Sequence, residues 1–240
     1  LGGILSKEDL AAYEVKWRDP ITFEYKNHKI ISMPPPSSGG ICMAQILKSI
    51  EPYNIDQYAH NSTPYMQVIV EAERRAYADR SYFLGDPDFV TIPTDSLTSI
   101  TYLAKRMANF DWKKATQSSE LSRGAIPGYE SNETTHYSIV DQFGNSVAVT
   151  TTLNSSYGSK VYVENGGFFL NNEMDDFSAK PGAPNVYGLI GAEANAIAPQ
   201  KRMLSSMSPT IVENNGQLKM VLGSPGGSTI ITSVIQNILN

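Results

Sequence analysis

The run Glu133-Thr134-Thr135-His136-Tyr137-Ser138 contains the residue types needed for catalysis by an amino-terminal nucleophile. If the bond before Thr134 were cut, that residue would carry both a nucleophilic hydroxyl and a base. A free α-amine titrates at about pH 8, so it can take the proton from its own Oγ as that oxygen attacks a carbonyl. No histidine or cysteine is then required. A threonine pair is also common at the start of a β-strand, and these six residues alone favour that structural interpretation.

Other chemistries are poorly supported by the sequence. His28, His60 and His136 show no metal-ligand spacing, so we expect no metal site and no cofactor. The single Cys42 lies in an apolar helical segment, where we expect a buried and inert thiol. Neither a G-x-S-x-G nor an S-x-x-K motif occurs, so the familiar serine nucleophiles are missing.

Composition favours a globular protein that acts on small molecules. The chain has 240 residues, 41% of them hydrophobic, and a formal net charge of −5. Because lysine and arginine are not clustered, we expect no nucleic-acid partner and no anionic membrane patch. No apolar run reaches the roughly 20 residues of a membrane-spanning helix, and the first residues lack a signal-peptide pattern. Small polar or zwitterionic ligands fit this charge distribution better.

The first half of the chain is predicted to supply helices and one hairpin. Capping, turn and apolar patterns predict a helix from Ser6 to about Tyr13, strands 21–25 and 29–33, a helix restarting near Ile41, and a long helix from 63 to about Phe83. We expect the Pro/Ser/Gly-rich loop 34–40 to be irregular. We expect the long helix to be scaffold, with its more exposed side formed by Glu71, Glu73, Arg74 and Arg75.

The second half is predicted to be β-rich and to position the nucleophile. The segment 111–133 lacks apolar periodicity and is expected to be an exposed lead-in to Thr134, or an ordinary surface connection. Strands 137–141 and 147–153 form one predicted hairpin, and strands 210–212 and 218–222 form another. The run Gly223-Ser224-Pro225-Gly226-Gly227-Ser228 follows a strand and opens a helix. Its N–H groups suit an anion or a developing oxyanion, and it lacks the spacing of a nucleotide P-loop.

Several motifs, in order along the chain, resemble the γ-glutamyltransferase family. They are 133–138, Thr152-Leu153-Asn154, 170–178, 204–210 and 223–228, and the runs 34–40 and 76–81 are similar to that family's large subunit. The resemblance spans essentially the whole chain. It implies an α+β fold, the four-layer αββα sandwich of the Ntn-hydrolases, present in part because both ends of the family's chain are missing. Residues 1–133 would belong to the large subunit and 134–240 to the small catalytic subunit, together forming one domain.

The resemblance also implies a self-processing enzyme with a defined chemistry. The precursor would cut itself between Glu133 and Thr134, giving large and small subunits from one chain. Thr134 would then attack the γ-carbonyl of glutathione or another γ-glutamyl compound, and the acyl group would pass to water or to an amino-acid or peptide acceptor. The family's export implies a periplasmic or extracellular location, although the signal region is not in this chain.

The resemblance assigns site residues position by position. Thr152 would orient the Thr134 hydroxyl, and the Gly226 and Gly227 N–H groups would hold the tetrahedral oxyanion. The substrate's α-ammonium would be held by Asn154, Glu173 and Asp176, and its α-carboxylate by Ser205 and Ser206. The loop 181–192 resembles a lid over the donor site, with Tyr187 as its shielding aromatic. Without the family, the acidic run is more often a solvated turn and the serines ordinary loop hydroxyls.

Departures from the family pattern leave alternatives open. Thr229 stands where the family has arginine, Met203 stands where it has proline, and the family's carboxylate-binding arginine lies upstream of Leu1. The alternatives are a related Ntn acylase, a poly-γ-glutamate transpeptidase, or an unprocessed and catalytically inert fragment. The activity of these residues alone is therefore in question.

Overall fold

The computed structural model describes residues 4–118, 120–121, 134–180, 182–183 and 191–240, and its architecture is α+β. The helices are α1 (Lys7–Ala12), α2 (Gly39–Ile50), α3 (Thr63–Phe83), α4 (Thr94–Leu97), α5 (Ile100–Met107) and α6 (Thr229–Leu239). The strands are β1 (Ile21–Tyr25), β2 (His28–Ser32), β3 (Thr135–Val140), β4 (Ser146–Thr151), β5 (Tyr162–Val163), β6 (Phe168–Phe169), β7 (Thr210–Asn214) and β8 (Gln217–Leu222).

One antiparallel sheet joins the two halves of the sequence. Its strand order is β1-β2-β7-β8, so strands from before and after Thr134 pair directly at β2 and β7. The hairpin β3–β4 forms a second sheet and is tied to the first by the Ser138 hydroxyl, which donates to the Val221 carbonyl (2.9 Å). Strands β5 and β6 form a further short hairpin. The predicted hairpins are confirmed with small shifts at their ends.

The core is centred on helix α2, which packs on α3, α5 and α6 and against strands β1 and β2 of the four-stranded sheet. Helix α2 is almost completely buried because apolar side chains point from it in several directions. The expected buried thiol of Cys42 is confirmed, and burial raises its pKa to about 12. No helix in the described part of the chain combines the length and the apolar character needed to cross a membrane.

Two details of the helices differ from the predictions. Helix α2 begins at Gly39, inside the loop expected to be irregular, because its first two glycines fit against neighbouring chain. A Cβ on Gly39 would lie 2.4 Å from Ser208 Oγ, and one on Gly40 would lie 2.6 Å from the Met33 carbonyl. In α3, Glu71 and Arg75 are buried rather than more exposed, since each compensates the other's charge in an ion pair.

Candidate active site

One pocket collects side chains from widely separated parts of the sequence. Its lining includes residues from α3, from both ends of the β3–β4 hairpin, from the 3₁₀ turn Glu173–Asp176, from the loop before β7 and from the start of α6. The predicted site residues that line it are Thr134, Thr152, Asn154, Asp176, Ser205, Ser206 and Gly227. Glu173 and Gly226 are neighbours of lining residues and do not line the pocket themselves.

The hairpin register brings Thr134 and Thr152 together. Thr135 pairs with Thr151 at the end of the β3–β4 ladder, so the next residue on each strand lies at the pocket. The Thr134 hydroxyl donates to Thr152 Oγ1 at 3.5 Å, and Thr152 Oγ1 also accepts from the Asn154 N–H at 3.0 Å. Thr152 is therefore held by the backbone that follows it and can in turn orient the Thr134 hydroxyl.

The glycine run before α6 has a backbone conformation that ordinary residues avoid. Gly226 and Gly227 both have positive φ angles, 129° and 54°. Their carbonyls accept from Thr229 and Ile230, which directs the peptide groups into the first turn of the helix. Within the described residues neither glycine N–H donates a backbone hydrogen bond. These donors at a helix N-terminus are suited to a developing oxyanion.

The acidic end of the pocket is formed by Asp176, and Glu173 lies in the same 3₁₀ turn without lining the pocket; both carboxyl groups have raised pKa values. Burial raises the pKa of Asp176 to about 6, and the Asn154 amide and the Arg80 guanidinium oppose this shift only in part. Burial, with a smaller effect of Asp176, raises the pKa of Glu173 to about 7. The buried Asn154 Nδ2 atom faces the Asp176 carboxyl without a hydrogen bond of normal geometry. Partly buried carboxylates without a directly paired cation are costly to ionise, so this end of the pocket favours a positively charged ligand group.

A second, hydroxyl-rich part of the pocket lining is formed by the serine pair before β7. The Ser205 carbonyl accepts from both the backbone N–H and the hydroxyl of Ser38, at 2.8 and 2.7 Å. Ser205 Oγ accepts from the Met207 N–H at 3.1 Å, and Ser206 Oγ accepts from Arg80 Nη2 at 3.0 Å. The loop that carries the two hydroxyls is thus fixed to the N-terminus of α2 and the last turn of α3.

Arg80 is a charged pocket residue that the sequence patterns did not indicate. It belongs to α3, which was expected to be scaffold, and its side chain is buried at the pocket wall. The available signal was its position in the run 76–81, which resembles the family's large subunit. Helical periodicity alone predicted only a packing role for this helix.

Three predicted features lie outside the described residues. They are Glu133 of the predicted cleavage site, Tyr187 of the predicted lid, and most of the segments 111–133 and 181–192 to which these residues belong. The described part of the lead-in, residues 111–118 and 120–121, has no helix and contains one short bridge between Asp111 and Lys114.

The chain shares its fold with a solved acylase. It aligns with the crystal structure of cephalosporin acylase from Bacillus halodurans with a TM-score of 0.78 and 22% identity, covering all of this chain and 40% of that one. The predicted α+β Ntn-hydrolase fold, present in part, is confirmed by this similarity.

The family model for gamma-glutamyltranspeptidase matches residues 1–240, and the chain belongs to that family. It is 54% identical to the glutathione hydrolase proenzyme of Escherichia coli (strain K12) over 239 residues, which cover 100% of this chain and 41% of that protein. It is 34% identical to the acylase ACY 1 proenzyme of Pseudomonas sp. (strain SE83), covering 100% of this chain and 40% of that protein. The chain thus spans about two fifths of the length of the relatives it matches.

Proposed function

We propose that the full-length protein is a self-processing γ-glutamyltransferase that cleaves the γ-glutamyl amide bond of glutathione and related compounds. The observation that carries this proposal is the position of Thr134, which contacts Thr152 at the edge of a pocket with an acidic end and a hydroxyl-rich end. A γ-glutamyl donor has an α-ammonium and an α-carboxylate on one carbon. Such a zwitterion needs both ends at once, and binding it would bring its γ-carbonyl to the threonine.

Processing would create the nucleophile. The Thr134 hydroxyl adds to the Glu133 carbonyl carbon, the C–N bond breaks as the nitrogen takes a proton, and an ester remains on Oγ. Water hydrolyses that ester, leaving a carboxylate on Glu133 and a free amine and hydroxyl on Thr134. Residues 1–133 would then belong to the large subunit and residues 134–240 to the small subunit.

Turnover would use the same hydroxyl with its own amine as the base. The amine takes the Oγ proton as the oxygen attacks the γ-carbonyl, and the Gly226 and Gly227 N–H groups stabilise the resulting oxyanion. The amine then gives its proton to the leaving nitrogen, and a γ-glutamyl ester forms on Thr134. Attack by water completes hydrolysis, and attack by the amine of an amino acid or peptide completes transfer.

Asn154, Glu173 and Asp176 would bind the α-ammonium, and Ser205 and Ser206 would bind the α-carboxylate. The raised carboxyl pKa values support the first assignment, because an ammonium group would compensate the buried charge. Tyr187 would shield the bound donor from the lid. We also propose a periplasmic or extracellular location, on the basis of the family resemblance.

Mass spectrometry and turnover of γ-glutamyl-p-nitroanilide test this function in the full-length protein. We expect two chains separated between Glu133 and Thr134, together with release of p-nitroaniline. Thr134→Ala should abolish both processing and turnover. The matched control is Thr135→Ala, which removes the adjacent, exposed threonine hydroxyl and should leave processing intact. An active wild-type protein with an uncut chain would refute the mechanism.

A second candidate function is that of a related acylase with the same nucleophile and a different acyl donor. The similarity to the acylase ACY 1 proenzyme of Pseudomonas favours it. Comparing turnover of γ-glutamyl-p-nitroanilide and glutaryl-p-nitroanilide, which lacks the α-ammonium, separates the two functions. Preference for the glutaryl donor would favour the acylase.

A further inference from the structure

Arg80 is a buried cation with no carboxylate within 4 Å among the described residues, and its electrostatic partner in the pocket is the more distant Asp176 carboxyl. Its side chain lies at the pocket wall and the residue is only 3% exposed. Every other arginine in the described part of the chain has a carboxylate within 4 Å, whereas Arg80 has none. Burying a guanidinium without a counter-ion is costly, so the position is suited to an anion that arrives with a ligand.

The hydrogen bonds of Arg80 are directed at the loop that carries the serine pair. Its Nε atom donates to Ser38 Oγ at 2.9 Å, and Nη2 donates to Ser206 Oγ at 3.0 Å. Ser38 Oγ in turn donates to the Ser205 carbonyl at 2.7 Å. Two nitrogens of one planar group thus hold the loop through two hydroxyls, a geometry that lysine cannot reproduce.

The bond from Arg80 leaves the Ser206 hydroxyl proton free to be donated. A serine hydroxyl has one proton to donate and two lone pairs that accept. Because Ser206 Oγ already accepts from a cation, its proton remains available for a ligand in the pocket. Ser205 Oγ likewise accepts from the Met207 N–H. Each hydroxyl therefore keeps its proton for a ligand in the pocket, and a pair of such donors suits a carboxylate.

We propose that Arg80 is a positioning residue that makes the pocket selective for donors with an α-carboxylate. It acts through Ser206, whose hydroxyl it orients toward the ligand, and through its positive charge, which compensates the bound anion. This inference rests on the proposed function and adds to it a residue from the large-subunit side of the predicted cleavage site.

The experiment compares two donors that differ in one group. γ-Glutamyl-p-nitroanilide carries the α-carboxylate, and 4-aminobutyryl-p-nitroanilide lacks it and keeps the amine. In full-length, processed protein, Arg80→Gln should lower kcat/KM for the first donor by on the order of ten- to a hundredfold, mostly through KM, which is the range for losing a hydrogen bond to a charged group. The second donor should change less than about threefold. Arg80→Lys, which keeps the charge without the planar group, should lie between wild type and Arg80→Gln.

Two further variants separate positioning from packing. Arg75→Lys alters an equally buried arginine of α3 that lies outside the pocket, and it should affect both donors alike. Ser38→Ala removes one anchor and keeps the charge, so it should give a smaller rise in KM for the carboxylate donor even if the Arg80 variants fail to fold. In a Ser206→Ala background the effect of Arg80→Gln should shrink severalfold.

The outcomes separate failure of this inference from failure of the proposed function. Equal losses for both donors in Arg80→Gln and in Ser38→Ala would overturn the inference, because they would show that Arg80 only supports the loop. An unchanged KM in both variants would also overturn it. If wild-type protein turned over neither donor and was not cut at Thr134, the proposed function itself would fail.

Discussion

The raised carboxyl pKa values at the acidic end of the pocket predict how donor recognition depends on pH. In the proposed function an α-ammonium would bind the ionised forms of Asp176 and Glu173, whose pKa values are raised to about 6 and about 7. Both values exceed the ordinary carboxyl pKa of about 4. Between about pH 4 and about pH 7 these two groups hold more protons in the unliganded fold than in the unfolded chain, so their contribution to its stability falls as the pH rises. Affinity for an ammonium group instead increases as the pH rises through about 6 to about 7, because the two carboxyl groups become ionised.

The size of the effect follows from the ionised fractions. At pH 5 about one tenth of Asp176 and about one hundredth of Glu173 would be ionised, whereas both are mostly ionised at pH 8. If only Asp176 must be ionised, kcat/KM for a γ-glutamyl donor should fall about tenfold between pH 8 and pH 5 from this cause. If both must be ionised, the fall should be about a thousandfold. The slope therefore reports how many carboxylates hold the ammonium.

The assay compares kcat/KM for two donors, so that titrations that affect both donors equally cancel. The Thr134 α-amine must be neutral to act as a base and affects every donor alike. We therefore divide kcat/KM for γ-glutamyl-p-nitroanilide by that for glutaryl-p-nitroanilide at each pH from 5 to 8. The ratio should rise with pH and level off above pH 7. In Asp176→Asn the ratio should be lowered at pH 8 by on the order of ten- to a hundredfold, while the melting temperature stays equal or rises.

A flat ratio across this range would refute the reasoning. It would mean that the acidic end does not contact the α-ammonium, or that its carboxyl groups are already ionised at pH 5. A lower melting temperature for Asp176→Asn at pH 8 would contradict the expected effect on stability, because it would show that the Asp176 carboxylate stabilises the unliganded fold.

Three further substitutions test the Thr134–Thr152 contact, the packing of Gly223 on His136, and the ion pairs of Glu71 in α3. Thr152→Val removes the hydroxyl that contacts Thr134 and should lower kcat at least tenfold with little change in melting temperature, since only the oxygen is replaced. Gly223→Ala would place a Cβ 2.2 Å from the imidazole of His136, so we expect a loss of about 1–3 kcal/mol in unfolding free energy, recovered in part by adding His136→Ala; denaturant titration measures both. Glu71→Gln leaves the buried Arg75 and the partly buried Arg74 without a carboxylate and should cost about 3–5 kcal/mol by the same titration.

Local patterns predicted the elements that hold the nucleophile. Turn residues and alternation predicted the β3–β4 hairpin, and its register then accounts for the contact between Thr134 and Thr152. The glycine run before α6 was likewise predicted from its position between a strand and an apolar helix. These features depend on neighbours in sequence, which is why one sequence is enough to predict them.

Long-range compensation of charge could not be predicted in the same way. Glu71 and Arg75 looked like exposed charges on a helix surface, and only their burial under the 109–118 segment explains why both are inside. Arg80 looked like scaffold for a related reason. Its partners Ser38 and Ser206 lie 42 and 126 residues away, and no periodicity within α3 indicates them.

The pocket is shared between the two sides of the predicted cleavage site. Arg80 and the α2 N-terminus come from before Glu133, while the nucleophile, the acidic end and the serine pair come from after it. The same division runs through the sheet, where β2 pairs with β7, and through the core, where α2 packs on α6. Cutting one bond leaves these contacts in place, so processing would free the Thr134 amine without dispersing the groups that bind the donor. In the proposed enzyme, recognition of the carboxylate would then depend on an arginine of one subunit acting through a serine of the other.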